Sequence, residues 1–300
     1  MTQQWTRRDL LKRSGLAGAA IVGGPVLLGA CSKAEEGGEG TLDRLKKAGT
    51  VKVGFAKEAP YSFTEGSKFT GEAPEVARTI FKALGVDKIE PVGVKAFGDL
   101  ITGLNSQQYD VIAAGMFITP ERCGQILFSN PDYAAKNAFA VKQGNPKGIK
   151  RFEDLAKTGA KVAVLGGAVE EGYAKDAGVK KDKIQVFPKA DAAYQGLIDG
   201  RVDAIALTTI TLNYYKKTQF ADKPVEVTEA FNPVVKGKPQ TGSGGYGFRK
   251  NDQALVDKFN AELKKLQDSG KLLQIMQPFG FTALEVDEAK KQTAAQLCKG

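Results

Sequence analysis

The residues best suited to bind a charged small molecule lie near the middle of the chain, at Thr119 and Arg122. Thr119, Pro120 and Glu121 have the order typical of a helix start, with a hydroxyl N-cap, proline at the first position and an acid in the first turn. Arg122 lies in the same turn, where a cation opposes the helix dipole. A guanidinium beside free backbone N–H groups suits a carboxylate ligand. The alternative is a surface arginine paired with a nearby acid.

Strand-like segments must position this turn and the other candidate side chains. The apolar run 111–114, led by β-branched residues, predicts a buried strand, and Phe117 is expected on the loop that follows it. Strand 50–55 leads into a loop that contains Glu58 and Tyr61, and Phe97 lies in a loop after a second strand. Ligands of open α/β sheets bind outside the carboxyl ends of the strands. These side chains are therefore candidates for ligand contact: one aromatic ring alone would favour core packing, whereas three on loops at strand ends favour a ligand site.

The second half of the chain repeats the alternation of strands and helices. Strand 161–165 leads through Gly166 and Gly167 into a helix that begins near Val169. Such a turn exposes backbone N–H groups that suit an anion. A Gly-rich strand near 241–249 and a long helix follow. Alternating elements predict parallel sheets, so the pattern indicates an α/β protein of two domains.

The central motif also carries a family resemblance. Residues 110–122, with Phe128 to Pro131 and Tyr133, resemble the signature of extracytoplasmic solute-binding proteins of the polar amino acid type. The resemblance covers about residues 40–285. In that family the threonine and arginine hold the ligand's carboxylate, which implies this role for Thr119 and Arg122.

The resemblance implies a two-lobed fold of the type II periplasmic-binding-protein kind. Each lobe is expected to hold a mostly parallel sheet flanked by helices, with two hinge crossovers near 138–143 and 240–247. The first lobe would be discontinuous, comprising 41–138 and 247–300, and the second would comprise 139–246. Such lobes close around a ligand by hinge motion.

Composition excludes several function classes. The chain has 300 residues and a formal charge of +9, but it contains no basic block interleaved with aromatic residues, so no nucleic-acid partner is expected. It contains no histidine, which excludes a histidine-based catalytic triad or metal site. We expect no metal, no cofactor and no catalytic residue.

The N-terminus predicts export. Arg7 and Arg8 belong to a twin-arginine pattern, and the apolar run 16–30 is too short for a membrane span. Small residues before Cys31 resemble a bacterial lipobox, which implies an export signal at 1–30, lipidation of Cys31 and a flexible tether at 31–40. The alternative is an ordinary signal peptide with a chance cysteine.

The two other cysteines suggest a disulfide. Export implies an oxidising compartment, and lipidation of Cys31 would leave Cys123 and Cys298. Because two cysteines remain, we predict that they form a disulfide between the C-terminal tail and the first lobe. Two free buried thiols are the alternative.

One position, Thr208, bears on which class of ligand the chain binds. Amino acid binders of the family carry Asp-Ala-x-x-x-Asp, whose last Asp pairs with the ligand's ammonium group, whereas this chain has Thr208 there. A buried ammonium without a carboxylate partner costs several kcal/mol, so an ordinary amino acid is disfavoured unless another acid substitutes. Aromatic faces and Glu58 suit a compact zwitterion with a diffuse positive charge.

The detailed motifs resemble those of the ectoine/hydroxyectoine-binding subfamily. They comprise 58–61, 70–75, 113–123 and 167–170. That resemblance implies a ligand site made of Tyr61, Phe97 and Phe117 as an aromatic box, Glu58 on the ring nitrogens, Arg122 with Thr119 on the carboxylate, and Ala168 and Val169 through their backbone N–H groups, with Thr208 near the cation. It implies a monomeric, lipid-anchored, extracytoplasmic receptor that serves the permease of an ABC importer.

Two rival functions remain open at this point. One is a receptor for polar amino acids or for a betaine-type zwitterion. The other is an enzyme on the same fold, similar to periplasmic cyclohexadienyl dehydratases, with Glu58 or Glu170 as general acid.

Overall fold

The computed structural model describes residues 40–235 and 237–299. The predicted export signal, the lipidation site at Cys31 and the tether up to residue 39 lie outside this part of the chain. Within the described part, no helix is both long and apolar enough to cross a bilayer. The same residues include no cluster of three or more Cys, Asp or Glu side chains arranged to hold a metal ion.

The first lobe begins at the N-terminal end of the described chain. Its elements up to the first crossing are α1 (Thr41–Ala48), β1 (Thr50–Phe55), β2 (Phe63–Glu65), β3 (Lys68–Thr70), α2 (Glu72–Ala83), β4 (Lys88–Gly93), α3 (Leu100–Asn105), β5 (Val111–Phe117), α4 (Pro120–Cys123), β6 (Leu127–Phe128) and β7 (Tyr133–Ala135). The main sheet has the order β4-β1-β5, in which neighbours are parallel. Helix α2 packs on it through Val76, Ile80 and Phe81, whose helical spacing forms one apolar face.

The second lobe follows directly. Its elements are β8 (Asn137–Lys142), α5 (Phe152–Thr158), β9 (Val162–Leu165), α6 (Val169–Asp176), β10 (Ile184–Phe187), α7 (Ala190–Ile198), β11 (Ala204–Thr208), α8 (Thr209–Thr218), β12 (Val225–Val227), β13 (Val234–Val235) and β14 (Lys238–Pro239). Its sheet has the order β10-β9-β11-β8-β12. Strands β9, β10 and β11 are parallel, and buried apolar side chains cover both faces of this sheet.

The chain then returns to the first lobe. The returning elements are β15 (Gly242–Phe248), α9 (Gln253–Asp268), α10 (Lys271–Met276), α11 (Ala283–Ala289) and α12 (Ala294–Leu297). Strand β15 pairs with β5, β6 and β7, so all of it belongs to the first lobe. The predicted boundary at residue 246 therefore lies within β15. The second crossing lies near residues 240–241, inside the predicted range 240–247, and the first lies at Lys136, just before the predicted range 138–143.

Both sheets are mixed rather than mostly parallel. Strands β8 and β12 run antiparallel to their neighbours in the second lobe, and β15 runs antiparallel to β5 in the first. Strands β8 and β15 follow the two crossings directly. The parallel strands of each sheet end at the edge that faces the other lobe. A strand that follows a crossing begins at that edge and therefore runs in the opposite direction.

A disulfide joins Cys123, at the end of α4, to Cys298, which follows α12. The two Cα atoms are 5.6 Å apart, and the bridge closes a loop across a separation of 175 residues. Cross-linking residues this far apart restricts the unfolded chain. The bridge also ties the C-terminal tail to the turn that contains Arg122.

Two acids are buried together in the first lobe. Glu72 has no exposed surface and Asp132 is 2% exposed. Burial, reinforced by the charge of Asp132, raises the pKa of Glu72 well above its ordinary value. Burial also raises the pKa of Asp132. The folded protein therefore retains a proton that these side chains lose in the unfolded chain.

We predict that Glu72→Gln removes a pH-dependent loss of stability. Because the pKa of Glu72 is higher in the folded state, the folded protein binds more protons, and its stability falls as pH rises above the ordinary glutamate value. The urea midpoint of the wild type should fall between about pH 5 and about pH 8, and that of Glu72→Gln should fall less. Glu90→Gln, on an exposed strand, is the control. Equal pH dependence in all three proteins would contradict the prediction.

Candidate functional site

The carboxyl ends of three parallel strands bring the first-lobe candidates together. Strand β1 leads to Glu58 and Tyr61, β5 ends at Phe117 and is followed by Arg122, and Phe97 follows β4 in a 3-10 turn. Neighbouring parallel strands end at the same edge of a sheet, which is where α/β proteins bind ligands. The structure places all five side chains in the wall of one cavity.

The second lobe supplies the opposite wall. Strand β9 leads through the Gly166–Gly167 turn to Ala168 and Val169, and β11 ends at Thr208. The cavity lies between the lobes, and its lining comprises Glu58, Tyr61, Phe97, Gly115, Phe117, Arg122, Ala168, Val169, Glu170, Leu207 and Thr208. The structure thus gathers eight of the nine residues predicted as ligand contacts.

Thr119 is the predicted contact that does not line this cavity. Its hydroxyl accepts the backbone N–H of Arg122 at 3.3 Å and so caps α4, as the sequence predicts. Thr119 borders a larger cleft of about 1010 Å³ on the other side of Arg122. The geometry gives Thr119 a role in shaping the turn that carries the guanidinium.

Arg122 spans the two lobes. One terminal guanidinium nitrogen donates to the carbonyl oxygen of Phe117 at 2.8 Å, and the other donates to that of Gly167, in the second lobe, at 2.9 Å. Its Cζ atom lies 5.4 Å from the centre of the Phe97 ring, within cation–π range. Desolvation by burial lowers the pKa of Arg122, and the nearby charge of Glu170 opposes that shift. The cation is therefore partly buried where the two lobes meet, and it lines the cavity.

The aromatic side chains differ in their surroundings. Tyr61 and Phe117 are buried in the first-lobe core, where both pack near Tyr133, with ring centroids 5.1 and 6.1 Å from its ring. Phe97 is half-buried and packs against a separate cluster. Tyr61 and Phe117 thus belong to the core and to the cavity wall at once, and their contact with a ligand stays a prediction.

Glu58 is a partly buried acid in the cavity wall. Its carboxylate accepts a hydrogen bond from the Thr211 hydroxyl at 2.9 Å. Burial raises the pKa of Glu58 to about 7, while the Thr211 hydrogen bond lowers it and the charge of Glu170 raises it. Near neutral pH this group titrates, so its charge responds to any cation placed beside it.

Glu170 is a cavity residue that the ligand prediction omitted. It is 3% exposed, accepts a hydrogen bond from the Asn137 amide at 2.7 Å, and burial raises its pKa. Its position at the start of α6 has the ordinary explanation that an acid there complements the helix dipole. The signal that it faces inward is its spacing from Ala174, the other buried residue of α6.

Two glycines allow the aromatic rings to occupy these positions. A Cβ atom at Gly242, on β15, would overlap the Phe117 ring. A Cβ atom at Gly115, on β5, would overlap the Tyr61 ring, and Gly115 also has a positive φ of 62°. The Gly-rich sequence of β15 therefore reflects close packing against the cavity wall.

Comparison with known proteins gives a family match. The model of the bacterial extracellular solute-binding proteins, family 3, matches residues 51–282. A probable amino-acid ABC transporter periplasmic-binding protein of Sinorhizobium fredii is 31% identical over 268 residues, which cover 88% of each chain. Such relatives are binding proteins of transporters, which is consistent with a chain that performs no reaction on its ligand.

Two solved structures are similar over most of the chain. EhuB in complex with hydroxyectoine aligns with a TM-score of 0.79 and 37% identity, covering 87% of this chain and 98% of EhuB. An ancestral amino acid-binding protein, described as a precursor of cyclohexadienyl dehydratase, aligns with a TM-score of 0.69 and 31% identity, covering 80% and 99%. These alignments confirm the predicted two-lobed fold.

We predict opposite effects of alanine at two glycines. Gly242→Ala should destabilise the protein by about 1–3 kcal/mol, because the added Cβ displaces the Phe117 ring from a packed wall. Gly172→Ala, on α6, meets no atom within 4 Å and should stabilise the protein by about 0.5–1 kcal/mol. Urea unfolding of both variants measures the difference. A Gly242→Ala variant as stable as the wild type would show that Phe117 is not fixed in this way.

Proposed function

Because the chain belongs to family 3 of the bacterial extracellular solute-binding proteins, we propose that it is the receptor of an ABC importer for ectoine and 5-hydroxyectoine. These ligands are compact cyclic zwitterions with a carboxylate and a delocalised amidinium. The proposed receptor encloses the ligand between its lobes and presents it to the permease subunits of the importer. We propose further that it is a monomer, exported by the twin-arginine route and anchored by a lipid on Cys31.

One observation carries the ligand proposal. A single cavity brings the Arg122 guanidinium, the Glu58 carboxyl and three aromatic side chains into its walls. In the proposed complex Arg122 binds the carboxylate, since its planar donors match the two oxygens. Aromatic faces attract a diffuse cation by roughly 0.5–2 kcal/mol each, and Glu58 accepts the ring N–H groups. The similarity to EhuB, whose structure holds hydroxyectoine, supports this choice.

A receptor for a polar amino acid is the second candidate. The Sinorhizobium fredii relative is named for amino-acid transport. Thr208 removes one acid that an ammonium group would use, but Glu170 places a second carboxyl in the same cavity. In this second candidate Glu170 takes the place of the missing acid and binds the ammonium group. Competition between ectoine and amino acids distinguishes the two candidates.

We predict that ectoine binds and that Arg122 and Phe117 determine its affinity. Arg122→Ala should abolish binding, because the carboxylate loses its charged partner in a desolvated site. Phe117→Leu should weaken binding about tenfold, since it keeps apolar bulk but removes the π face. Calorimetric titration measures both, with Arg201→Ala, an exposed second-lobe variant, as the control.

The titration also separates the candidates. Ectoine should displace L-arginine and other polar amino acids, and prephenate added to the protein should remain unchanged. Absence of ectoine binding at millimolar concentration, together with tight binding of an amino acid, would replace the ectoine proposal by the second candidate. Normal affinity in Arg122→Ala would show that the site has been misplaced.

We predict that ectoine affinity depends on pH through Glu58. Its pKa of about 7 in the free protein means that much of the carboxyl is protonated below that pH. An amidinium binds the ionised form, so binding should release a proton and weaken by up to tenfold per pH unit below about 7. Titration at several pH values measures this, and Glu58→Gln should bind weakly with little pH dependence. A flat profile in the wild type would contradict this role.

A further inference from the structure

A row of hydroxyl groups connects the two lobes inside the cavity wall. The Tyr61 hydroxyl donates to Thr208 Oγ1 at 3.0 Å, and Thr208 Oγ1 donates to Thr211 Oγ1 at 3.3 Å. Thr211 Oγ1 then donates to the Glu58 carboxylate at 2.9 Å. Tyr61 and Glu58 belong to the first lobe, whereas both threonines belong to the second. The row therefore leaves the first lobe and returns to it.

The hydrogen-bonding capacity of Thr208 is fully used within the protein. A hydroxyl donates one hydrogen bond and accepts two. Thr208 Oγ1 accepts from the Tyr61 hydroxyl and, as the N-cap of α8, from the backbone N–H of Thr211 at 3.3 Å. It donates to the Thr211 hydroxyl. No donor or acceptor on this hydroxyl remains for a ligand.

The three residues that carry these hydroxyl groups are buried. Tyr61 is 2% exposed, Thr208 is 6% exposed and Thr211 has no exposed surface. Apolar contacts also join the lobes: the Phe63 ring lies 5.9 Å from that of Tyr214, and Ala59 packs in the second-lobe core. Opening the lobes would exchange the bonds between them for bonds to water, and an intramolecular hydrogen bond has a modest net advantage in that exchange, so the row favours the closed arrangement of the lobes.

We infer that Thr208 and Thr211 are positioning residues that latch the lobes and orient the Glu58 carboxylate, and that Thr208 does not contact the ligand. Thr208, which stands where amino acid binders of the family carry the ammonium-binding acid, thus helps to hold the two lobes together. Because every donor in the row points toward Glu58, the orientation of this carboxylate depends on the lobes being together. The role of Glu58 toward a cation rests on the proposed function, whereas the latch between the lobes does not.

A double-mutant cycle tests the latch. Tyr61→Phe keeps the ring and Thr208→Val keeps the side-chain shape, and each removes a hydroxyl. Each should raise the Kd for ectoine about tenfold, mainly through faster dissociation, and the double variant should also lose about tenfold rather than a hundredfold. Thr208→Ser keeps the hydroxyl and the cap and should bind as the wild type does. Tyr194→Phe, which removes a buried hydroxyl bonded within the second lobe, is the matched control.

The same cycle without ligand separates this inference from the ligand proposal. The urea midpoints of the four proteins should be non-additive, because Tyr61 and Thr208 bond to each other across the lobes. If ectoine fails to bind while the midpoints are coupled, the ligand proposal falls and the latch stands. Additive midpoints, with Tyr61→Phe binding ectoine as tightly as Tyr194→Phe does, would overturn the latch.

Thr211 provides a readout that a purely structural role would not change. Its hydroxyl lowers the pKa of Glu58, whereas the charge of Glu170 raises that pKa. Tyr215 also lies near Glu58, whose charge raises the pKa of Tyr215. Thr211→Val should therefore move the pH dependence of ectoine binding to higher pH, and Thr211→Ser should restore it. Equal weakening at every pH would show that Thr211 only supports the fold and would overturn its positioning role.

Discussion

The site depends on a partly buried guanidinium that bonds to both lobes. A buried charge is costly unless hydrogen bonds and opposite charges compensate it. Arg122 receives compensation from a carbonyl oxygen of each lobe, from the face of Phe97 and from the nearby Glu170. Since its partners come from both lobes, the position of this cation is defined by how the lobes meet. A ligand carboxylate at this point would complete its coordination.

The strand ends and the two crossings of the chain bring the lobes together at Arg122. Parallel strands in each lobe deliver loops to one edge, and the two crossings place those edges face to face. The return strand β15 supports the first-lobe side and uses glycine where the Phe117 ring approaches. The disulfide then fixes the C-terminal tail beside α4. Strand β15 and the disulfide at α4 therefore stabilise the fold and also hold the site residues in place.

The sequence predicts the parts of the site that depend on local chemistry. The N-cap at Thr119, the position of Arg122 and the loops with Glu58 and the aromatic residues follow from turn signals and strand ends. The role of Glu170 was harder to predict, because an acid at a helix start already has a local explanation. The bond between Tyr61 and Thr208 joins residues 147 positions apart, and no local pattern encodes such a pairing. The domain boundary predicted at residue 246 lies inside β15, because the glycine-rich run 242–248 has no periodicity that marks where the strand begins.

The most direct test of the account is a crystal structure of the protein grown with ectoine. The account predicts the ligand between the lobes, with its carboxylate in hydrogen-bond range of Arg122, its ring nitrogens directed at Glu58, and Thr208 still bonded to the Tyr61 hydroxyl. A ligand whose carboxylate lies away from Arg122, or whose cation meets Glu170 while Glu58 makes no contact, would contradict the central claim.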